Sequence, residues 1–359
     1  MPVALKALRH PIDYIRLRHD VRGRGRAHPA FAAMRAAVAD ELAPFAARGV
    51  DAAAIDRQWA ALEGWDAELA VRLTVRGGRV RARARRVGHE RVRWMAWAIE
   101  RLVHWFGLPD LDLLLYFGDH IDRDPEHAPV LCFCRRRQRV GQVLIPDFEI
   151  LRGHESLDRS VDRAARRLTW EARAPRVFWR GVTTGGRFDA PGWEGIPRAR
   201  LVALSRAQPE LIDARFTRFV QGADANPVLM GGGWRSDAVA PADSVRFRYL
   251  VDGDGNSSSW SRLRWLLRSG SLVLKQSSDF VQWYYRWLEP GRHYVPVARD
   301  LADLAVTIEW ARANDRAARA IALEGRRFAH AHLGRAEAFW YLLAVLEGVA
   351  GGSKARVVS

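Results

Sequence analysis

A chain of 359 residues with 57 Lys and Arg against 41 Asp and Glu has a formal charge of +16, which admits nucleic acid, an anionic membrane surface or acidic substrates as partners. Its 48% hydrophobic and 27% charged residues exclude a disordered chain and allow two domains, each with a core of its own. No apolar run reaches the length of a membrane-spanning helix. The opening stretch, MPVALKALRHPIDYIRLRHD, is charged throughout where a secretory leader needs an apolar centre, so the expected location is the cytoplasm.

Lys occurs only at positions 6, 275 and 354. An Arg-rich, Ala-rich composition fits a GC-rich genome, but such a bias does not explain the excess over acids. No nucleic-acid-binding module is recognisable, so nucleic acid is not expected as a partner. The two cysteines, Cys132 and Cys134 in VLCFCRRR, would share one face of a strand, too close for an ordinary disulfide. They indicate a reducing compartment more than a metal site.

Residues 1–70 read as helical. Ala30–Leu42 and Asp51–Leu69 are the main segments, separated by Pro44 and Gly49, with Pro29 suiting a helix start. Arg22–Arg26, RGRGR, reads as a flexible basic loop. Val71–Val87 reads as a hairpin turning at Gly77-Gly78. Its second strand carries Arg79, Arg81, Arg83 and Arg85 on one face, either solvated or a surface for anionic lipid or glycan. Glu90–Phe106 is an amphipathic helix whose Trp94, Trp97, Ile99, Leu102 and Trp105 pack in a core. Asp112–Phe117 is an apolar strand ending in Gly118-Asp119-His120. Ligands in α/β folds gather at the carboxyl ends of strands, which places Asp119 for chemistry. Asp122-Arg-Asp124 reads as a turn, Val130–Phe133 and Val143–Ile145 as strands, and Ser160–Arg167 as a basic linker or helix into a second domain.

Val177–Arg180 opens that domain as a strand. Gly181–Gly186, GVTTGG, offers bare backbone and hydroxyls to a phosphate that Arg180 or Arg187 can neutralise. Arg198–Ala207 is a helix, Ile212–Phe216 a strand, and Gln221–Asp243 a Gly-rich surface loop expected to be mobile. Phe247–Val251 is a strand leading into the polar loop Asp252–Ser259. Trp260–Arg268 has helical spacing, stopped by Ser269-Gly270, and Ser271–Lys275 is a buried strand. A Ser-rich loop entering a helix N-terminus can hold an anion: Ser257, Ser258 and Ser259 supply hydroxyls and Arg262 follows one turn in. The same residues read equally as an ordinary cap with a solvated arginine. Phe280–Trp287 is aromatic, its Trp283, Tyr284 and Trp287 either packing or flanking a ligand, and Asp279 could meet a ribose hydroxyl. His293–Pro296 is a strand, and Asp300–Asn314, Asp315–His332 and Arg335–Val349 are helices. His330 and His332 are two apart and do not face one metal. Residues 350–359 read as frayed.

In order, LPDLDLLLYFGD (108–119), VFWRGVTTGGR (177–187) with RARLVALSRAQPELIDARFT (198–217), DGDGNSSSWSRLRWLLRSGSLVLKQ (252–276) and HYVPVARDLADL (293–304) resemble glycosyltransferase family 90. That family includes protein O-glucosyl- and O-xylosyltransferases of the Rumi type, fungal capsule-associated proteins and bacterial lipopolysaccharide-modifying enzymes. The resemblance runs from about Leu108 to about Trp340.

The resemblance implies an α/β, GT-B-like fold, with two Rossmann-like domains facing a cleft. Residues 1–170 would form the acceptor domain with the catalytic base, residues 171–333 the nucleotide-sugar domain, and residues 334–359 a closing helix and tail. The implied activity is inverting transfer of a sugar, glucose or xylose, from a UDP-sugar to a hydroxyl of a glycan or glycolipid acceptor such as lipopolysaccharide. Asp119 matches the family's catalytic base. Trp179, Arg180, Gly181, Thr183 and Thr184, with Ser257, Ser258, Ser259, Trp260 and Arg262, would hold the donor. Asp147, Phe148 and Glu149 would line the acceptor side. No metal or cofactor is implied, so Asp122 and Asp124 are not read as metal ligands. Relatives often carry an Arg where this chain has Thr183. Rumi-type relatives are lumenal, whereas this chain reads as the bacterial type, cytoplasmic or peripheral at the inner face of the inner membrane through its Arg-rich hairpin. The alternative is a non-catalytic glycan- or anionic-lipid-binding protein that has kept the fold.

Overall fold

The structure is a computed structural model that describes residues 11–46, 49–85 and 89–354. The charged N-terminal decapeptide, the end of the hairpin at Val87 and the tail past Lys354 lie outside these residues. The chain forms two compact units, Met1–Gly153 with Phe280–Trp283 and Gly334–Ser359, and His154–Asp279 with Tyr284–Leu333.

The first unit begins with helices Pro11–Arg24, Pro29–Ala46 and Ala52–Asp66. The expected basic loop at Arg22–Arg26 is largely helical: Leu17 and Val21, one turn apart, are both buried and carry the helix to Arg24. Pro44 does not end the second helix. Buried Phe45 continues the face begun by Phe31, Met34 and Val38, which outweighs one lost backbone hydrogen bond in the last turn. The third helix starts where Asp51 accepts a hydrogen bond from the Ala54 N–H at 2.7 Å.

Six strands follow: β1 (Ala70–Arg76), β2 (Arg79–Arg83), β3 (Leu111–Tyr116), β4 (Val130–Cys132), β5 (Arg135–Arg136) and β6 (Gln142–Leu144). β1 and β2 form the expected hairpin, with Gly77 and Gly78 at φ 54° and 78° supplying its turn. The main sheet runs β2-β1-β3-β4-β6. β1 is antiparallel to both neighbours, while β3, β4 and β6 are parallel. Helix Glu90–Phe106 has the bounds expected from its periodicity, capped by His89 and by Gly107 at φ 64°. Its Trp97 and Trp105 rings meet Phe339 on the closing helix Arg335–Lys354. That helix therefore completes the first unit. Gly348 lets it approach helix Pro29–Ala46, since a Cβ there would lie 2.7 Å from Leu42 Cδ1.

The second unit holds β7 (Ala174–Val182), β8 (Ile212–Arg218), β9 (Phe247–Asp252) and β10 (Leu272–Gln276). The short β11 (Phe280–Val281) belongs to the first unit, where it pairs with β5, and the second unit resumes with β12 (Val295–Val297). The sheet order β12-β10-β9-β7-β8 is parallel throughout. β10 is buried at all five positions, as a strand covered on both faces must be. Numbered within the unit, the order is 2-1-3-4-5, a doubly wound sheet that reverses direction between β7 and β9.

The boundary falls at residues 153/154 instead of 170/171. The reason is helix Glu155–Arg167, whose Asp158 binds Arg264 at 2.6 Å and whose Asp162 binds Arg268 at 2.5 Å, both on helix Arg262–Arg268. These near-buried charges are satisfied only inside the second unit. The segment Gln221–Asp243 is not a free loop: Trp234 is buried edge-on against Trp193, and Asn226 caps a short helix at Pro227–Met230. No helix among the described residues is long and apolar enough to cross a membrane.

Candidate functional site

The reversal between β7 and β9 opens a crevice beyond the carboxyl ends of those two strands, where doubly wound sheets bind ligands. Two loops leave there, Thr183–Gly186 from β7 and Gly253–Ser261 from β9. Arg198, at the start of helix Pro197–Ala207, ties them together. It donates to Val182 O at 3.0 Å and Thr184 Oγ1 at 2.6 Å on one side. On the other it donates to Asp254 O at 2.8 Å and Gly253 O at 3.2 Å. Asn256 adds a second tie, accepting from the Gly185 N–H at 3.0 Å and from Gln221 Nε2 at 2.8 Å.

Trp179 lies beneath, 1% exposed, with the guanidinium carbons of Arg198 and Arg262 5.6 and 5.8 Å from its ring. Gly181 is required two residues on, because a Cβ there would sit 2.3 Å from the Trp179 ring. Arg262 donates to Arg180 O at 2.6 Å. Burial pushes the Arg198 guanidinium down to about 9, aided by the positive charge of Arg262. Burial likewise lowers Arg262, against the pull of Asp252. Two half-buried cations beside one aromatic ring favour a bound anion. Ser258 and Ser259 have buried hydroxyls with no hydrogen-bond partner, so donors are waiting beside the charge.

The expected donor residues divide on this geometry. Trp179, Gly181, Thr184, Ser258, Ser259 and Arg262 collect around the crevice. Arg180 points to the other face of β7, where it pairs with Asp213 at 2.8 Å and lies over the Phe178 ring. Thr183 is fully buried, donating to Val220 O and accepting from the Val220 N–H. Its hydroxyl is committed to the fold. Ser257 accepts from Trp260 Nε1 at 3.1 Å, a bond that holds Trp260 in a left-handed conformation at φ 54°. The helix begins only at Arg262, and the Ser261 side chain does not cap it with a hydrogen bond. The polar character of the loop thus comes from its hydroxyls and arginines more than from a capped helix end. Arg187 is exposed and pairs with Asp189, and Asp279 pairs with Arg299.

Below the loops, Lys275 binds Asp252 at 3.2 Å, both buried. Burial opposes charge on Lys275, but Asp252 and Asp254 outweigh it and hold its pKa above the ordinary value. Burial pushes the Asp254 carboxyl up to about 6 despite Lys275 and a hydrogen bond from Ser278. A carboxyl raised in the folded state adds stability at low pH, and that stability is lost as pH rises through its folded pKa. The stability of wild type relative to Asp254→Asn should therefore fall by roughly 2–3 kcal/mol between about pH 4 and pH 7. Denaturant unfolding of both proteins across that range checks it, and a constant difference would place Asp254 in an ordinary environment.

In the first unit the carboxyl ends of β3, β4 and β6 lie side by side, and the remaining expected residues follow them. Asp119 comes three residues after β3 and is half-buried. Gly118 before it accommodates the Tyr116 ring, which a Cβ would meet at 2.2 Å. The Tyr116 hydroxyl donates to Asp66 Oδ2 at 3.1 Å; burial first, then Asp66 and Asp119, raises its pKa. His120 bonds Asp122 at 3.1 Å and packs its ring on Phe280. Arg136 pairs with Asp122 at 2.6 Å and holds that carboxyl below its usual range. Asp124 accepts from the Val140 N–H at 3.1 Å. The Asp122-Arg-Asp124 triplet thus fastens the turn around β5. Asp147, beyond β6, caps helix Phe148–Arg152 by accepting from the Glu149 and Ile150 N–H groups. Phe148 lies against Phe133 and under Arg91, so Asp147 and Phe148 shape the edge while Glu149 is half-exposed on it. Cys132 and Cys134 are buried and in no disulfide, and burial raises the Cys132 thiol.

Sequence reading missed Arg198 and Asp254. Arg198 had no local signal, being one arginine among many at a helix start. Asp254 lies within the loop DGDG at 252–255, where nothing in the local sequence marks its desolvation.

A family model described as Glycosyl transferase family 90 matches residues 31–357, reaching well before the stretch that carried the resemblance. Among curated proteins, Protein O-glucosyltransferase 3 of Homo sapiens is 28% identical over 252 residues, covering 67% of this chain and 46% of its own length. Protein O-glucosyltransferase 2 of Danio rerio is 28% identical over 246 residues, covering 65% and 46%. The O-glucosyltransferase rumi homolog of Anopheles gambiae is 28% identical over 254 residues, covering 65% and 60%. The chain spans about half the length of the first of these relatives. Among solved structures, Anabaena Alr3699/HepE in complex with UDP and glucose matches with a TM-score of 0.43 and 12% identity, over 72% of this chain and 76% of that one.

Proposed function

The chain belongs to glycosyltransferase family 90, and from that premise we propose that it moves a sugar from a UDP-sugar to a hydroxyl of a glycan or glycolipid acceptor, with inversion at the anomeric carbon. Glucose is the favoured sugar, because relatives that match two thirds of the chain are named glucosyltransferases; xylose is the second candidate. The acceptor is a surface glycan of the lipopolysaccharide kind, whose negative charge suits a chain of +16. The enzyme acts in the cytoplasm or peripherally at the inner face of the inner membrane.

The observation that carries the reading is the crevice at β7 and β9, where the half-buried Arg198 and Arg262 stand beside the unpartnered hydroxyls of Ser258 and Ser259. In the transfer, Asp119 takes the proton of the acceptor hydroxyl as its oxygen bonds to C1 of the sugar. The bond from C1 to the UDP oxygen breaks on the opposite side, and its electron pair leaves with the diphosphate. The charge gathering there meets Arg262, Arg198 and the serine hydroxyls, arranged before the reaction begins. This anion site uses cations of the protein, so the transfer is proposed to need no metal.

Calorimetric titration of the purified protein with UDP, UDP-glucose, UDP-xylose, UDP-galactose and GDP-mannose, with and without EDTA, tests the reading. The expected result is selective UDP binding unchanged by EDTA, with UDP-glucose or UDP-xylose preferred. Absence of nucleotide binding would reject the transferase reading in favour of a binding protein. Loss of binding in EDTA would reject the metal-free mechanism alone.

A further inference from the structure

An apolar pocket of about 430 Å³ lies in the first unit, away from every residue assigned above. It sits where helices Pro29–Ala46, Ala52–Asp66 and Arg335–Lys354 meet the sheet. Leu42, Phe45, Ile55, Leu113, Leu131 and Val349 form its wall. Its polar lining is confined to Arg76, Asp110 and Asp112. Asp110 accepts from the Gly77 N–H at 2.9 Å, and Arg76 pairs with Asp112 at 2.7 Å. The polar rim therefore lies at the turn of the arginine hairpin and at the amino end of β3. Asp119 stands at the other end of that strand, about 20 Å along it. The pocket is not part of the acceptor edge.

We propose that this pocket binds the alkyl chain of an anionic lipid, with the headgroup held at the hairpin turn. The inference does not depend on the transferase reading. An aliphatic wall with a polar rim fits an amphiphile, and the volume is that of a small-ligand site. The rim itself carries two carboxylates to one guanidinium, so the sign of the head follows from the arginine row beside it. Arg79 stands directly opposite Arg76 in the hairpin register, and Arg81 and Arg83 continue the row along the same face of β2, all three exposed. Among the described residues Arg79 and Arg81 have no ion-pair partner, whereas Arg76 is already matched by Asp112. Asp112 supplies a second clue: its Oδ1 is buried without a hydrogen-bond partner, 3.8 Å from Arg72, and can accept from a hydroxyl of the head. A chain inserted here would leave the arginine row against the lipid surface, so one bound lipid and the row reinforce each other.

The probe is a series of lysophosphatidylglycerols of increasing chain length, octanoyl to myristoyl, titrated calorimetrically below their micelle concentrations. Alkyl maltosides of matching length serve as neutral controls. One equivalent should bind, with affinity rising roughly fourfold per methylene and levelling once the pocket is full. Ala39→Trp and Ala46→Trp replace exposed wall residues and should weaken every long-chain ligand at least about tenfold without loss of fold by circular dichroism. Arg79→Ser should weaken the phosphatidylglycerols and spare the maltosides. UDP binding should be unchanged in all three variants, which separates this result from any failure of the transferase reading. Non-saturable uptake, or saturable binding indifferent to Ala39→Trp and Ala46→Trp, would overturn the alkyl site. Equal affinity for both head types would overturn the anionic one.

Discussion

Asp119→Asn should retain UDP and UDP-sugar binding and lose roughly 10²–10⁴-fold in transfer rate. Asn keeps the size and polarity of the side chain but cannot take a proton from the acceptor hydroxyl. Asp119 is half-buried beyond β3 in the first unit, whereas the residues assigned to the nucleotide belong to the second. The two readouts should therefore separate cleanly. Radiolabelled sugar transfer measures the first and calorimetry with UDP the second. An Asn variant with near-normal transfer would remove Asp119 from the mechanism. Loss of UDP binding along with transfer would instead point to a damaged fold.

Arg198→Met should lower UDP affinity by at least about tenfold and reduce stability by about 2–4 kcal/mol. One guanidinium there satisfies Val182 O, Thr184 Oγ1, Gly253 O and Asp254 O. Removing it strands these acceptors and frees both loops. It also takes one of the two half-buried cations from the crevice. Arg198→Lys should recover part of the stability but not the affinity, because an ammonium cannot reach across both loops as a planar fork does. Comparing UMP with UDP then separates two roles. An equal loss for both ligands identifies Arg198 as holding the loops in place. A loss confined to UDP identifies a direct contact with the terminal phosphate. A folded Arg198→Met protein with unchanged affinity for both would exclude Arg198 from the site.

Much of the fold was legible in local pattern. Helix Glu90–Phe106 followed from its tryptophan stripe, the hairpin from Gly77-Gly78 and alternating valines, and β10 from a continuous apolar run. Asp119 was legible for the same reason, as a carboxylate closing an apolar strand. These features arise from residues a few positions apart, and hydrophobic periodicity reports such residues directly.

What the pattern could not assign was which polar groups the fold would consume. Arg180 and Thr183 have the chemistry of phosphate ligands, yet β8 pairs the first with Asp213 and the Val220 backbone occupies the hydroxyl of the second. Arg198 carries no mark in sequence. It became central because a sheet that reverses at β7 and β9 brings together loops whose bonded residues, Gly185 and Asn256, are 71 positions apart. The composition fixed an arginine-rich chain with the residues of an anion site. Only tertiary packing decided which arginines were left unmatched, because burial and long-range pairing set the cost of each charge and neither appears in the local sequence.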